Sequence, residues 1–141
     1  MKRMQYNLKS IKIPYQMHDE EITKIIVSKN SVQLYVDKLH FVPNYSKAII
    51  EFNGIDDVFS CVYIDVYDME CCNILGGRRY YAEEFDSMWG AREIKLIILD
   101  ILVGYGGMLM ITGEISEGDV IGEKYFSFVV YASYMTYILQ E

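Results

Sequence analysis

Apolar and polar residues trade places at every second position over long stretches of this chain. Val62, Ile64 and Val66 fall on one face, with Tyr63, Asp65 and Tyr67 on the other. Val32, Leu34 and Val36 alternate with Gln33, Tyr35 and Asp37. Near the C-terminal end Phe126, Phe128, Val130, Ala132 and Tyr134 share a face opposite Ser127, Tyr131 and Ser133. A period of two is what a strand half-buried against a core requires, because successive side chains leave opposite faces of the pleat. The pattern predicts strands at about 22–28, 32–38, 48–53, 59–69, 92–103, 107–116 and 124–138. Between them lie Asn53-Gly54, Gly76-Gly77, Gly104-Tyr105-Gly106-Gly107, and Glu117-Gly118-Asp119 with Gly122, all good turn formers.

Two segments resist the strand pattern. From Tyr80 to Trp89, the residues Tyr81, Phe85, Met88 and Trp89 recur at helical spacing before Gly90, which predicts one short helix near 80–89. From Ile94 to Val103, Ile94, Ile97, Ile98, Ile101 and Leu102 also fit a helical stripe. The glycine-rich turn and alternating strand that follow favour a hairpin. In that reading Lys95 and Asp100 fall on opposite faces, which requires a bulge or burial on both sides. The expected fold is mainly β: a single domain over residues 1–141, with an antiparallel sheet curled into a partly open barrel or a two-sheet sandwich.

Composition sharpens this picture. Apolar residues make up 52% of the 141 positions, so a core can form without metal or disulfide support. Thirteen tyrosines against one tryptophan suit sheets with one dry and one wet face. The longest uncharged run, Tyr125 to Gln140, contains Ser127, Ser133 and Thr136 and falls short of a spanning helix. No continuous apolar run precedes Lys9 and Lys12, so no secretory signal is expected. Cys61, Cys71 and Cys72 are odd in number, with two adjacent, which suits a reduced cytoplasmic setting better than a disulfide framework. The net charge of −7 is uneven: eight Lys/Arg against four Asp/Glu over residues 1–47 give +4, and five against sixteen over 48–141 give −11. Such a surface repels nucleic acid and anionic lipid.

Polar chemistry meets the sheet pattern at Met17-His18-Asp19-Glu20-Glu21-Ile22. This opening, with a hairpin directly after it, resembles small bacterial β-proteins that begin with a His-Asp-x-x-Ile element. The run Ile98 to Gly113 and the aromatic C-terminal strand are similar to their second half. Most of these families are uncharacterised, and some related ones accompany polymorphic-toxin loci as immunity proteins. The resemblance implies a binding role and transfers no catalytic residue.

Read from the residues themselves, His18 could act as a general base beside Asp19, with Glu20 and Glu21 adding acid or metal-ligand capacity. On an extended strand, however, neighbours point apart, and a structural polar pair is the simpler role for His18 and Asp19. Cys-x-x-Cys and His-x-x-x-His spacings are missing, and Asp65-x-x-Asp68-x-Glu70 lacks the glycine of a calcium loop, so no metal or cofactor is expected. Gly104-x-Gly106-Gly107 precedes a strand, not a phosphate-binding helix. Arg78-Arg79 beside Tyr80-Tyr81 could stack on a ligand, and a solvated turn is the plainer reading.

The tyrosines carry the functional expectation. Tyr63, Asp65, Tyr67, Tyr131 and Tyr137 are expected on one outer sheet face, as an aromatic and acidic surface for another, basic protein or for a second copy. The chain is thus expected to be a non-enzymatic interaction module, possible forms including an immunity-type inhibitor. The alternatives are a small-molecule-binding barrel, and a hydrolase or isomerase built on His18.

Overall fold

A computed structural model of the chain describes residues 1–8, 17–40, 42–55, 63–70, 73–81, 84, 93–118 and 120–141. Among the described residues eleven strands follow in order: β1 Lys2–Asn7, β2 Glu21–Ile22, β3 Lys24–Val27, β4 Ser31–Val36, β5 Lys47–Asn53, β6 Tyr63–Glu70, β7 Asn73–Tyr81, β8 Ile94–Val103, β9 Met108–Glu117, β10 Val120–Tyr131 and β11 Tyr134–Gln140. They form two wholly antiparallel sheets. One has the order β1-β11-β5-β4-β3, the other β2-β8-β9-β10-β6-β7. The sheets do not close into a barrel. No described helix is long and apolar enough to cross a membrane.

The core lies between the sheets and is built from the inward half of each alternation. Phe52 of β5 meets Phe128 of β10 with ring centroids 6.3 Å apart. Ile25, Val32, Leu34, Ile50, Ile64, Leu96, Ile111, Phe126 and Tyr137 are all buried around that contact. A buried aromatic ring of this kind is worth about 3–5 kcal/mol against truncation to alanine.

Two of the expected strands are each divided between the sheets. The stretch 22–28 breaks at Thr23, which ends β2 in one sheet and starts β3 in the other. Thr23 N–H donates to the Tyr35 carbonyl at 2.9 Å, and its hydroxyl donates to Asp37 Oδ2 at 2.7 Å. The stretch 124–138 breaks at Ala132–Ser133. There Ala132 N–H donates to Gly107 O, and Ser133 N–H to Asn53 O, at 3.1 Å each. Strands that turn a corner between packed sheets are a known way of joining the layers of a sandwich. The corner also exposes Tyr134, which an unbroken alternation places inward.

The segment 94–103 is a strand. Its register against β9 shifts between Ile98 and Asp100, the bulge that its slipped alternation required. Gly113 sits opposite Ile98 there. A Cβ at position 113 would overlap the Ile97 carbonyl and press on Phe126, so only glycine fits. The Gly104–Gly107 segment makes the expected reversal, a single 3-10 turn at Tyr105–Gly107 with Gly106 and Gly107 at positive φ.

Three expectations change. Gly76-Gly77 is not a turn: both glycines lie inside β7, paired with Asp68 and Tyr67, and the reversal falls between the paired residues Glu70 and Asn73. β1 was not expected, because Lys2, Arg3 and Gln5 dilute its alternation, yet it pairs along β11. Tyr80 and Tyr81 end β7, and most of the helix expected near 80–89 lies outside the described residues, as do all three cysteines.

Gly113→Ala is expected to destabilise the fold by about 3 kcal/mol or more, measured by urea denaturation. Gly106→Ala, where a Cβ meets open space, costs only its positive-φ strain, about 1–2 kcal/mol.

Candidate functional site

The outer face of the six-stranded sheet can be assembled row by row from the strand registers. One row runs Glu21, Ile97, Glu114, Tyr125, Tyr67, Gly77. The next runs Asp100, Thr112, Ser127, Asp65, Arg79, and the third Leu102, Met110, Val129, Tyr63, Tyr81. Met108 and Tyr131 pair beyond it. The third row is the unusual one. Leu102 is 52% exposed and Tyr81 50%, and Met110 and Val129 between them are half-buried. Alternation explains why these residues share a face, and antiparallel register explains why they share a line.

Acidic groups stand in the two rows on one side of this third row. Asp65 accepts from Arg79 at two points, Nε to Oδ1 at 2.7 Å and Nη2 to Oδ2 at 3.0 Å. Its charge is therefore already matched. Glu21 lies 3.2 Å from Lys95 Nζ. Asp100 and Glu114 have no such partner among the described residues; Asp100 stands in the row next to the apolar one, and Glu114 one row further away. Asp65 is thus not the uncompensated acid that was expected; among the described residues Asp100 and Glu114 are.

Of the five residues expected on an outer face, the structure brings Asp65, Tyr67 and Tyr131 to this sheet. Tyr67 O–H and Ser127 Oγ share a hydrogen bond at 3.2 Å. Tyr63 lies in the third row by register, and its side chain is not among those described. Tyr137 does not belong there. It is fully buried in the core, with its ring 6.0 Å from that of Tyr6 in an edge contact. The corner at Ala132–Ser133 carries the chain to the opposite sheet, whose inner face points the other way. Odd positions that face out in β10 therefore face in along β11.

The His18 element also differs from expectation. Met17 and Asp19 adopt positive φ, at 53° and 66°, which supplies the kink that an extended strand lacks. His18 Nδ1 comes within 3.0 Å of Asp19 Oδ2, with both side chains more than half exposed. Asp19 N–H donates to the Ile98 carbonyl at 2.7 Å, so the backbone there does anchor the strand. The buried group is its neighbour. Glu20 is completely buried, accepts from His40 N–H at 2.7 Å, and lies 3.1 Å from His40 Nδ1. The signal for it was present: Glu20 and Ile22 share a parity, so an inward Ile22 carries Glu20 inward. Nothing local pointed to His40, which is brought there by the tertiary fold. Among the described residues no three of His, Cys, Asp and Glu converge on a metal position.

The opposite outer face, on the five-stranded sheet, is polar and internally satisfied. Glu51 accepts from Asn53 Nδ2 at 2.8 Å and from Gln33 Nε2 at 2.5 Å, and Tyr35 O–H donates to Gln33. These amide donors, Asn53 first, then Gln33, with help from Arg3 at 3.9 Å, hold the Glu51 carboxyl below the usual glutamate range against the opposing effect of burial. A carboxylate lowered in this way stabilises the fold at pH above its unfolded value and loses that contribution as pH falls through the folded one.

Glu51→Gln is expected to cost about 1 kcal/mol at pH 7, and the gap to wild type should close as pH drops below about 4. Urea denaturation across pH 3–7 reads both effects. By the same method, Glu20→Ala is expected to cost about 1–3 kcal/mol, against less than about 0.5 for His18→Ala. Compared with known proteins, the chain matches no family model, no curated protein and no solved structure.

Proposed function

We propose that this protein is a non-enzymatic binding module, and that the outer face of its six-stranded sheet docks a basic protein domain. One observation carries the reading: exposed Leu102 and Tyr81 share a row with Met110 and Val129, and Asp100 in the adjacent row and Glu114 in the row beyond it are answered by no described cation. An apolar row in water marks an interaction surface, and unmatched charge of one sign at its edge selects a partner of the other sign. An inhibitor of a basic toxin domain, acting in the cytoplasm, is the specific form we favour. It is the role of some proteins that the opening hairpin resembles.

Two rival readings have less support. A ligand-binding barrel needs room inside, and the space between the sheets is occupied by Phe52, Phe126, Phe128 and Tyr137. A hydrolase or isomerase built on His18 has the contact to Asp19 in its favour, but both side chains stand in solvent.

The test is affinity purification on the native protein, followed by quantitative binding of the recovered partner to variants. A basic domain is expected, with affinity that falls as salt rises and drops about tenfold or more in Asp100→Lys/Glu114→Lys and in Leu102→Glu. His18→Ala should bind like wild type. An acidic partner, or binding indifferent to all three substitutions, would sink the proposal.

A further inference from the structure

We infer that a recess at the edge of the six-stranded sheet is a binding site for a planar, uncharged aromatic ring with a polar edge. Asp65, Tyr67, Gly77, Arg78 and Arg79 line an open recess of 370 Å³. That size lies toward the lower end of the range for small-ligand sites, about 300–1,000 Å³. It occurs where β7 forms the margin of the sheet.

The recess exists because of one glycine. Gly77 pairs with Tyr67 across β6 and β7. A Cβ at position 77 would lie 3.3 Å from Tyr67 Cδ1 and 3.0 Å from the Val66 carbonyl oxygen, so any longer side chain would fill the space beside the ring. With glycine there, the flank of the Tyr67 ring stays open for stacking. The ring is held at its far end, where its hydroxyl bonds Ser127 Oγ. The Arg79 guanidinium is held too, by the two-point contact with Asp65. A platform and polar groups fixed before binding spare a ligand the cost of ordering them.

Charge selects the kind of ring. Asp65 answers Arg79, while Arg78 lies 3.6 Å from Glu84 Oε1 and 4.3 Å from the centre of the Tyr80 ring. On the recess face Arg79 is matched by Asp65, and Arg78, whose side chain leaves the other face of β7 with that of Tyr80, is matched by Glu84, so among the described residues neither an anion nor a cation gains net attraction. The recess still offers guanidinium N–H donors and carboxylate lone pairs side by side. A ring whose edge presents both an acceptor and a donor complements them. A nucleobase has that chemistry, and so does the phenol of a partner's tyrosine. This site stands independently of the docking proposal, since it uses none of the apolar row.

Two-dimensional NMR of the labelled full chain tests it, with adenosine and N-acetyltyrosinamide as neutral probes and benzoate and benzamidine as charged controls. At least one neutral probe should shift the Gly77 and Tyr67 amides saturably, with a Kd of about 1 mM or tighter. Both charged controls should bind about threefold or more weaker. Gly77→Val should abolish the shifts, and Tyr67→Leu, which keeps an apolar side chain without the ring, should weaken binding about fivefold. Adenosine alone binding identifies a free heterocycle as the ligand class; N-acetyltyrosinamide alone identifies a partner's side chain. No saturable shift with either neutral probe, equal binding of a charged control, or unchanged binding in Tyr67→Leu overturns the inference. Loss of the apolar-row partner in Leu102→Glu leaves these shifts unaltered, so the two proposals fail separately.

Discussion

The contact between the two sheets depends on where the chain is allowed to change layers. Thr23 and Ala132–Ser133 are the two corners that lie wholly within the described residues, and each is pinned by hydrogen bonds to another strand or turn. Inward and outward parity is reset at each corner. The core therefore receives Tyr137, Met135 and Leu139 from one side of the second corner, and Phe126, Phe128 and Val130 from the other. Without the reset, the same sequence would place one of these sets in water. At roughly 1.5–3 kcal/mol per buried large side chain, that misplacement is comparable with the net stability of an ordinary domain, about 5–15 kcal/mol.

The fold was legible wherever alternation ran unbroken. β4, β5, β8 and β9 fall within a residue or two of the strands expected from their pattern, and the slipped alternation of 94–103 marks a real bulge. What the pattern concealed was local interruption. A corner of one or two residues leaves no gap in hydrophobicity, so 22–28 and 124–138 each looked like one strand. Gly76-Gly77 has turn chemistry but is used for close approach to Tyr67, a purpose visible only once β6 lies beside it.

The candidate surface was legible in kind and less so in detail. Tyr67 and Tyr131 stand where a two-residue period puts them, whereas Tyr137 lies beyond a corner and turns inward. Asp65 was expected to draw a cation and has one, but from its own chain, Arg79 across the β6–β7 hairpin. The distinction between matched Asp65 and unmatched Asp100 and Glu114 depends on cross-strand register, which composition does not contain. The two outer faces differ for the same reason: Gln33, Glu51 and Asn53 satisfy one another on one sheet, and cross-strand register on the other lines Leu102, Met110 and Val129 up in one apolar row.

The strand order has a consequence for synthesis. In the five-stranded sheet β11 lies between β1 and β5, though it is the last of the described strands to leave the ribosome. Until residues 134–140 emerge, the first strand has no partner and β5 presents a bare ladder on one side. Nascent chains are therefore exposed to mispairing throughout synthesis of residues 2–133, and completion of this layer is a single event that joins segments about 130 residues apart.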